Sequence, residues 1–239
     1  MKILKQSLVA AMMFAACFTG AMAQNADDII QKHIDAVGGT DNWNKIKTVK
    51  MKGIMSMGGM EINITQTVAN DKGMKMEIDA NGMKGYNIIT PSEGWIFMPG
   101  MEKVTKIPDD QLKSSQDKIN IKTGQLVDKS KIGKAEYIGT DSVNSMNCYK
   151  LKITDKDGNV QTAFFDAVTY YLVRSEMKVK VQDDEKEMAV NYSNFKKQPE
   201  GIVFPMTIGT EQGDVNFKSV ELNKPVDDNF FKPADSDPK

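Results

Sequence analysis

The sequence is short of the side chains on which most enzyme chemistry depends. It has one histidine, His33, two cysteines, Cys17 and Cys148, and a single arginine, Arg174. Nucleophilic triads and Cys-His pairs need a histidine beside the nucleophile, and His33 sits next to Ile34 in a helical pattern with no glycine-framed serine near it. HExxH, clustered histidines and paired CxxC motifs are absent, which argues against metal hydrolysis. The acidic run Asp183-Asp184-Glu185 reads as a solvated hairpin tip rather than a calcium loop. Scarce arginine and a slightly acidic balance argue against nucleic acid, and lysines such as Lys178 and Lys180 near Glu176 describe a solvated face. The expectation is a protein that is not an enzyme and carries no cofactor and no metal.

Long apolar runs are also missing, except at the start. Residues 1–23 read as a secretory signal peptide: Lys2 and Lys5 come first, an apolar run from Leu8 to Phe18 follows, and Ala21-Met22-Ala23 fits the A-x-A cleavage rule. Cleavage there predicts a mature chain of residues 24–239 exported to the periplasm. A minor alternative is a lipid anchor on Cys17, because Phe14-Ala15-Ala16-Cys17 loosely resembles an acylation site. Loss of the signal leaves 29 basic against 32 acidic side chains, a net charge of about −3. It also leaves Cys148 alone, so no intrachain disulfide can form and a buried, inert thiol is expected. No remaining run approaches the roughly 20 apolar residues of a membrane-spanning helix.

What the chain does have is alternation. Asn25 to Val37 shows one helical pattern, with Ile29, Ile30, Ile34 and Val37 on a face, Asn25 as N-cap and Gly38-Gly39 as terminator. Thr40 is placed to cap a second short turn carrying Trp43. After Ile46 the period becomes 2. Taking Gly58-Gly59 as a two-residue turn pairs Met57 with Met60, Met55 with Ile62, Gly53 with Ile64 and Val49 with Val68 on one face. Taking Asn81-Gly82 as a type I′ turn pairs Ala80 with Met83, Ile78 with Gly85, Met76 with Asn87 and Met74 with Ile89. Eight more alternating segments follow, from Gly94 to Glu221, interrupted by a helical stretch at Pro108 to Leu126. The fold class expected is mainly β (α+β). A single curled antiparallel sheet of about 11–12 strands forms an unclosed half-barrel, its concave face covered by the N-terminal helix and the helical insertion.

The stretch "GIMSMGGMEINI", Gly53 to Ile64, concentrates three methionines in twelve residues. Thioethers in this pattern admit three readings: core filler, adaptable lining for an apolar ligand, or soft sulfur ligands for Cu(I). If they are lining, the apolar ligand-binding set is Met51, Met55, Met57, Met60, Ile62, Ile64, Met74, Met76, Ile78, Ile89, Trp95 and Phe97.

Three phrases, "ADDIIQKHIDAVGGTDNWNKIKTVKMKG", "YIGTDSVNSMNCYKLKITDKDGNVQTAFFD" and "LNKPVDDNFFKP", make the mature chain resemble the LolA/LolB-like superfamily of outer-membrane lipoprotein-sorting proteins, especially its secreted Bacteroidetes-type members. The resemblance implies an unclosed antiparallel barrel, lidded by helices, that holds acyl chains. The implied partners are a lipid or lipoprotein acyl chain and membrane-associated envelope proteins. The best-known carriers line their cavity with aromatics and use an arginine near the lid, where this chain offers methionines and Arg174. The alternatives are a structural or partner-binding envelope module with a filled core and, third, methionine-based Cu(I) binding.

Overall fold

The computed structural model describes residues 26–115, 119–181, 184–227 and 229–233. The expected signal segment, Cys17, the Asn25 cap and Asp183 of the acidic run lie outside the described residues.

Three α-helices are described: α1 over 26–36, α2 (Thr40–Lys45) and α3 (Asp109–Ser115). The strands are β1 (Thr48–Met57), β2 (Met60–Ala69), β3 (Gly73–Ala80), β4 (Met83–Ile89), β5 (Gly94–Phe97), β6 (Thr105–Lys106), β7 (Ile132–Val143), β8 (Met146–Asp155), β9 (Val160–Asp166), β10 (Leu172–Val181), β11 (Asp184–Lys197), β12 (Val203–Thr210) and β13 (Gly213–Leu222). They form one thirteen-stranded sheet in the order β6-β5-β4-β3-β2-β1-β13-β12-β11-β10-β9-β8-β7. The pairings are antiparallel, and the sheet does not close into a barrel. The strand beyond the expected count is β6, whose two residues are too few to show a period.

Two turns fix the register of the first four strands. Gly58 and Gly59 have φ of 58° and 81°, and Asn81 and Gly82 have 54° and 87°. Positive φ at both central residues is the type I′ turn, whose twist matches that of the flanking strands. The expected pairs Met57↔Met60, Met55↔Ile62, Ile78↔Gly85 and Met74↔Ile89 are all present.

The chain divides into two compact units, Met1–Ala36 with Lys129–Ala189, and Val37–Asp128 with Val190–Lys239. In the first, α1 buries Ile29, Ile30, His33 and Ile34, one stripe of a 3.6-residue period. The His33 ring lies 5.0 Å from that of Phe165, and its Nδ1 is 2.8 Å from the Tyr170 carbonyl, so Nδ1 carries the proton and donates. His33 is thus part of the packing. Cys148 is buried in the same unit, and desolvation pushes its thiol pKa up. Asp166 turns the chain from β9 toward β10 by accepting hydrogen bonds from the Thr169 N–H at 2.6 Å, the Thr169 hydroxyl at 2.7 Å and the Val168 N–H at 3.2 Å. Burial alone would raise its carboxyl pKa, but these three donors hold it below the usual carboxylate range. Arg174 pairs with Glu176 at 2.7 Å in this unit.

In the second unit α2 starts at Thr40 itself, with Gly39 as N-cap and no side-chain cap, which corrects the expectation that Thr40 caps the helix. What fixes α2 is Trp43. Its ring is fully buried 5.2 Å from Phe204, and Nε1 donates to the Val37 carbonyl at 3.0 Å. Gly53 is required for a different reason: a Cβ there would meet the Asn216 carbonyl oxygen at 2.5 Å and Phe217 Cα at 2.9 Å, where β1 bulges against β13.

Candidate functional site

Residues paired across antiparallel strands share a face, so the registers of β1 to β5 sort the second unit's side chains into two surfaces. One face reads Val49, Met51, Gly53, Met55 and Met57 on β1, and Met60, Ile62, Ile64, Gln66 and Val68 on β2. It continues with Met74, Met76, Ile78 and Ala80 on β3 and Met83, Gly85, Asn87 and Ile89 on β4. That face carries no charged side chain. The other carries Lys50, Lys52, Glu61, Lys75, Glu77, Asp79 and Lys84.

The methionine face is covered at one end and open at the other. Phe204, on the same face through the pairing of Ile208 with Val215 and of Val215 with Met55, packs against Trp43 of α2. At β5, a side chain on Gly94 would strike Ile107 and Leu112 of α3, so the helix lies directly over the strand. On this face Val49, Met51, Val68, Met74 and Ile89 are buried. Toward the turns the cover thins. Met55, Met76 and Ile78 are half-buried, and Met57, Met60 and Met83 are exposed at 41%, 48% and 56%.

Of the expected lining, Met51, Met55, Met57, Met60, Ile62, Ile64, Met74, Met76, Ile78 and Ile89 therefore share one face, in a gradient from buried to exposed. Trp95 and Phe97 do not belong with them. Trp95 stands opposite Ile88 and Phe97 opposite Tyr86, which puts both on the charged face. Their apolar character suggests the methionine face, but the register from Ile89↔Gly94 makes odd-numbered β5 residues point the other way. There they pack with Ala69, Tyr86, Phe230 and Phe231 under the chain's C-terminal segment. A crevice of about 360 Å³, bounded by Trp95, Phe231, Lys72 and Glu93, opens on that side.

Met83, Gln66 and Asn87 also lie on this face, outside the expected lining. Met83 was legible, since it stands opposite Ala80 across the Asn81-Gly82 turn. The two amides were not, because a search for apolar lining passes over polar residues.

Chemically the face offers apolar surface and thioethers. Successive same-face residues on a strand are about 6.5 to 7 Å apart, which spaces the methionines along β1 to β4.

No family model and no curated protein sequence matches the chain. Solved structures do. A DUF1329 family protein from Desulfovibrio piger superposes with a TM-score of 0.57 at 16% identity, covering 87% of this chain and 97% of that one. A LolA superfamily protein from Nitrosomonas europaea superposes with a TM-score of 0.52 at 14% identity, again over 87% and 97%. At such identities the likeness is one of fold. The chain has a LolA/LolB-like fold.

Proposed function

We propose that the protein is an exported, non-enzymatic carrier or sensor of the cell envelope. It would bind the acyl chain of a lipid or lipoprotein, or another apolar ligand, along the methionine face beneath α2 and α3. The observation that carries this reading is the gradient on that face: a surface without charge, sealed at its base by Trp43 and Leu112, ends in Met57, Met60 and Met83 standing in solvent. A surface built only to fill a core would be covered throughout, whereas exposed contiguous apolar area marks a binding surface. Methionine suits it because an unbranched thioether repacks around different shapes. Each acyl CH₂ withdrawn from water contributes about 0.8 kcal/mol, so a chain along four strands is held without any polar anchor. Periplasmic location and sorting of lipoproteins rest on the signal peptide expected from the sequence and on the family resemblance, and belong to the same proposal.

The test is native mass spectrometry of protein purified from the periplasm, followed by lipid extraction. Co-purifying lipid, or uptake of a fluorescent fatty acid by delipidated protein, is expected. Ligand-free protein that also takes up no fatty acid would overturn the proposal.

A further inference from the structure

Halfway along the methionine face the apolar pattern is broken twice. The register places Val220, Met51, Gln66, Met76, Asn87 and Ile96 in one row across six adjacent strands. Gln66 and Asn87 thus flank Met76 on a face that is otherwise apolar. Both amides are half-buried, and neither side chain makes a hydrogen bond to a described residue. The Asn87 Oδ1 atom is buried outright and accepts no hydrogen bond from a described residue.

A buried acceptor without a donor is expensive to keep, and buried polar side-chain atoms overwhelmingly have partners. Leucine would fit the pattern of this face better. Two amides at corresponding depth on β2 and β4 therefore point to a donor that arrives with the ligand. We infer that the ligand carries a neutral hydroxyl or amide N–H that docks between Gln66 and Asn87 and donates to Asn87 Oδ1, with its hydrocarbon chain running toward the turn methionines. This rests on the apolar-ligand reading above and narrows it.

The chemical class follows from what surrounds the row. No charged side chain lies on this face of β1 to β4, so an ammonium group would enter without a counter-charge, at a high desolvation cost. An ionised carboxylate has no proton to give Oδ1. An alcohol or an amide has one and stays uncharged. Access requires the half-buried Met76 side chain to shift, and its three rotatable bonds allow that.

The experiment compares decan-1-ol with 1-methoxydecane, which shares the chain and oxygen but lacks the donor, as competitors of a bound fluorescent fatty acid. Wild-type protein is expected to bind the alcohol about five- to tenfold more tightly than the ether, the worth of one hydrogen bond. In Asn87→Leu that ratio should fall to about one, through loss of affinity for the alcohol alone, with a melting temperature equal to or above wild type. Equal binding of both compounds by wild type overturns the donor site and leaves the apolar-ligand reading intact. Binding of neither overturns both. An undiminished ratio in Asn87→Leu places the donor elsewhere and overturns the assignment to Asn87. If Asn87→Leu does not fold, the wild-type ratio decides the donor, and Asn87→Ser, which shortens the acceptor away from the row, decides the residue by the same criterion.

Discussion

Met57 stands directly opposite Met60 across the Gly58-Gly59 turn, and both are open to solvent while Met51, three alternate positions down the same face, is buried. Because the pair is exposed, its substitution leaves the core alone. Met57→Lys is expected to change folding stability by no more than about 0.5 kcal/mol, as is usual at exposed sites, and yet to weaken uptake of a fluorescent fatty acid severalfold. Replacing Met55 and Met57 together with leucine keeps volume and apolarity, so folding and uptake should both persist. Cu(I) titration of that double variant is the decisive control: if leucine removed a stoichiometric Cu(I) affinity and left lipid uptake untouched, the thioethers would be ligands and not lining.

Cys148 gives a readout of the first unit. It is fully buried, its thiol pKa is raised chiefly by desolvation, and reactivity belongs to the exposed thiolate. Iodoacetamide at neutral pH should leave the native protein unmodified over hours and label it fully in denaturant. Rapid labelling of native protein would mean that β8 is not packed as described.

Asp166 sets an acid limit. Its folded pKa lies below the ordinary carboxylate value because the Thr169 and Val168 donors outweigh its burial. A depressed folded pKa contributes stability that is fully present above the unfolded value near 4 and is lost as pH falls through the folded one. Urea unfolding should therefore show a loss of stability below about pH 4 that is reduced in Asp166→Ala. At neutral pH the same variant should be less stable by about 1 to 3 kcal/mol, since the Thr169 and Val168 donors are left without their acceptor.

Gly53→Ala should destabilise the protein by about 2 kcal/mol, because the added carbon would meet backbone atoms of Asn216 and Phe217 that cannot rotate away. Gly59→Ala, where nothing lies within 4 Å, carries only the strain of its positive φ and serves as the comparison in chemical denaturation.

The first four strands are legible as two hairpins because two glycine-containing turns fix them: Gly58-Gly59 and Asn81-Gly82 as two-residue turns give the pairs of β1 with β2 and of β3 with β4, while the register of β2 against β3 comes from the structure. At β5 no such turn exists, since Thr90 to Glu93 is a longer connection, and the apolar character of Trp95 and Phe97 could not say which way they point. The turn between β7 and β8 is also two-residue, but Asn144 and Ser145 adopt φ of 48° and 66° without a glycine, so no punctuation marks it. The α2 start departs from the expected one because Thr40 has the right side chain for a cap while Gly39, at φ 79°, has the right backbone. Gln66 and Asn87 became visible only when the registers of β2, β3 and β4 were read together.

The central claim, an apolar ligand on the methionine face, is tested most directly by the methyl NMR spectrum of protein labelled with ¹³C at the methionine ε-carbons, titrated with a medium-chain fatty acid bearing a nitroxide. Met55, Met57, Met60 and Met76 signals, assigned by single leucine substitutions, are expected to broaden and to recover when unlabelled lipid displaces the probe. Unchanged signals at these four positions while other methionines such as Met177 broaden would contradict the account.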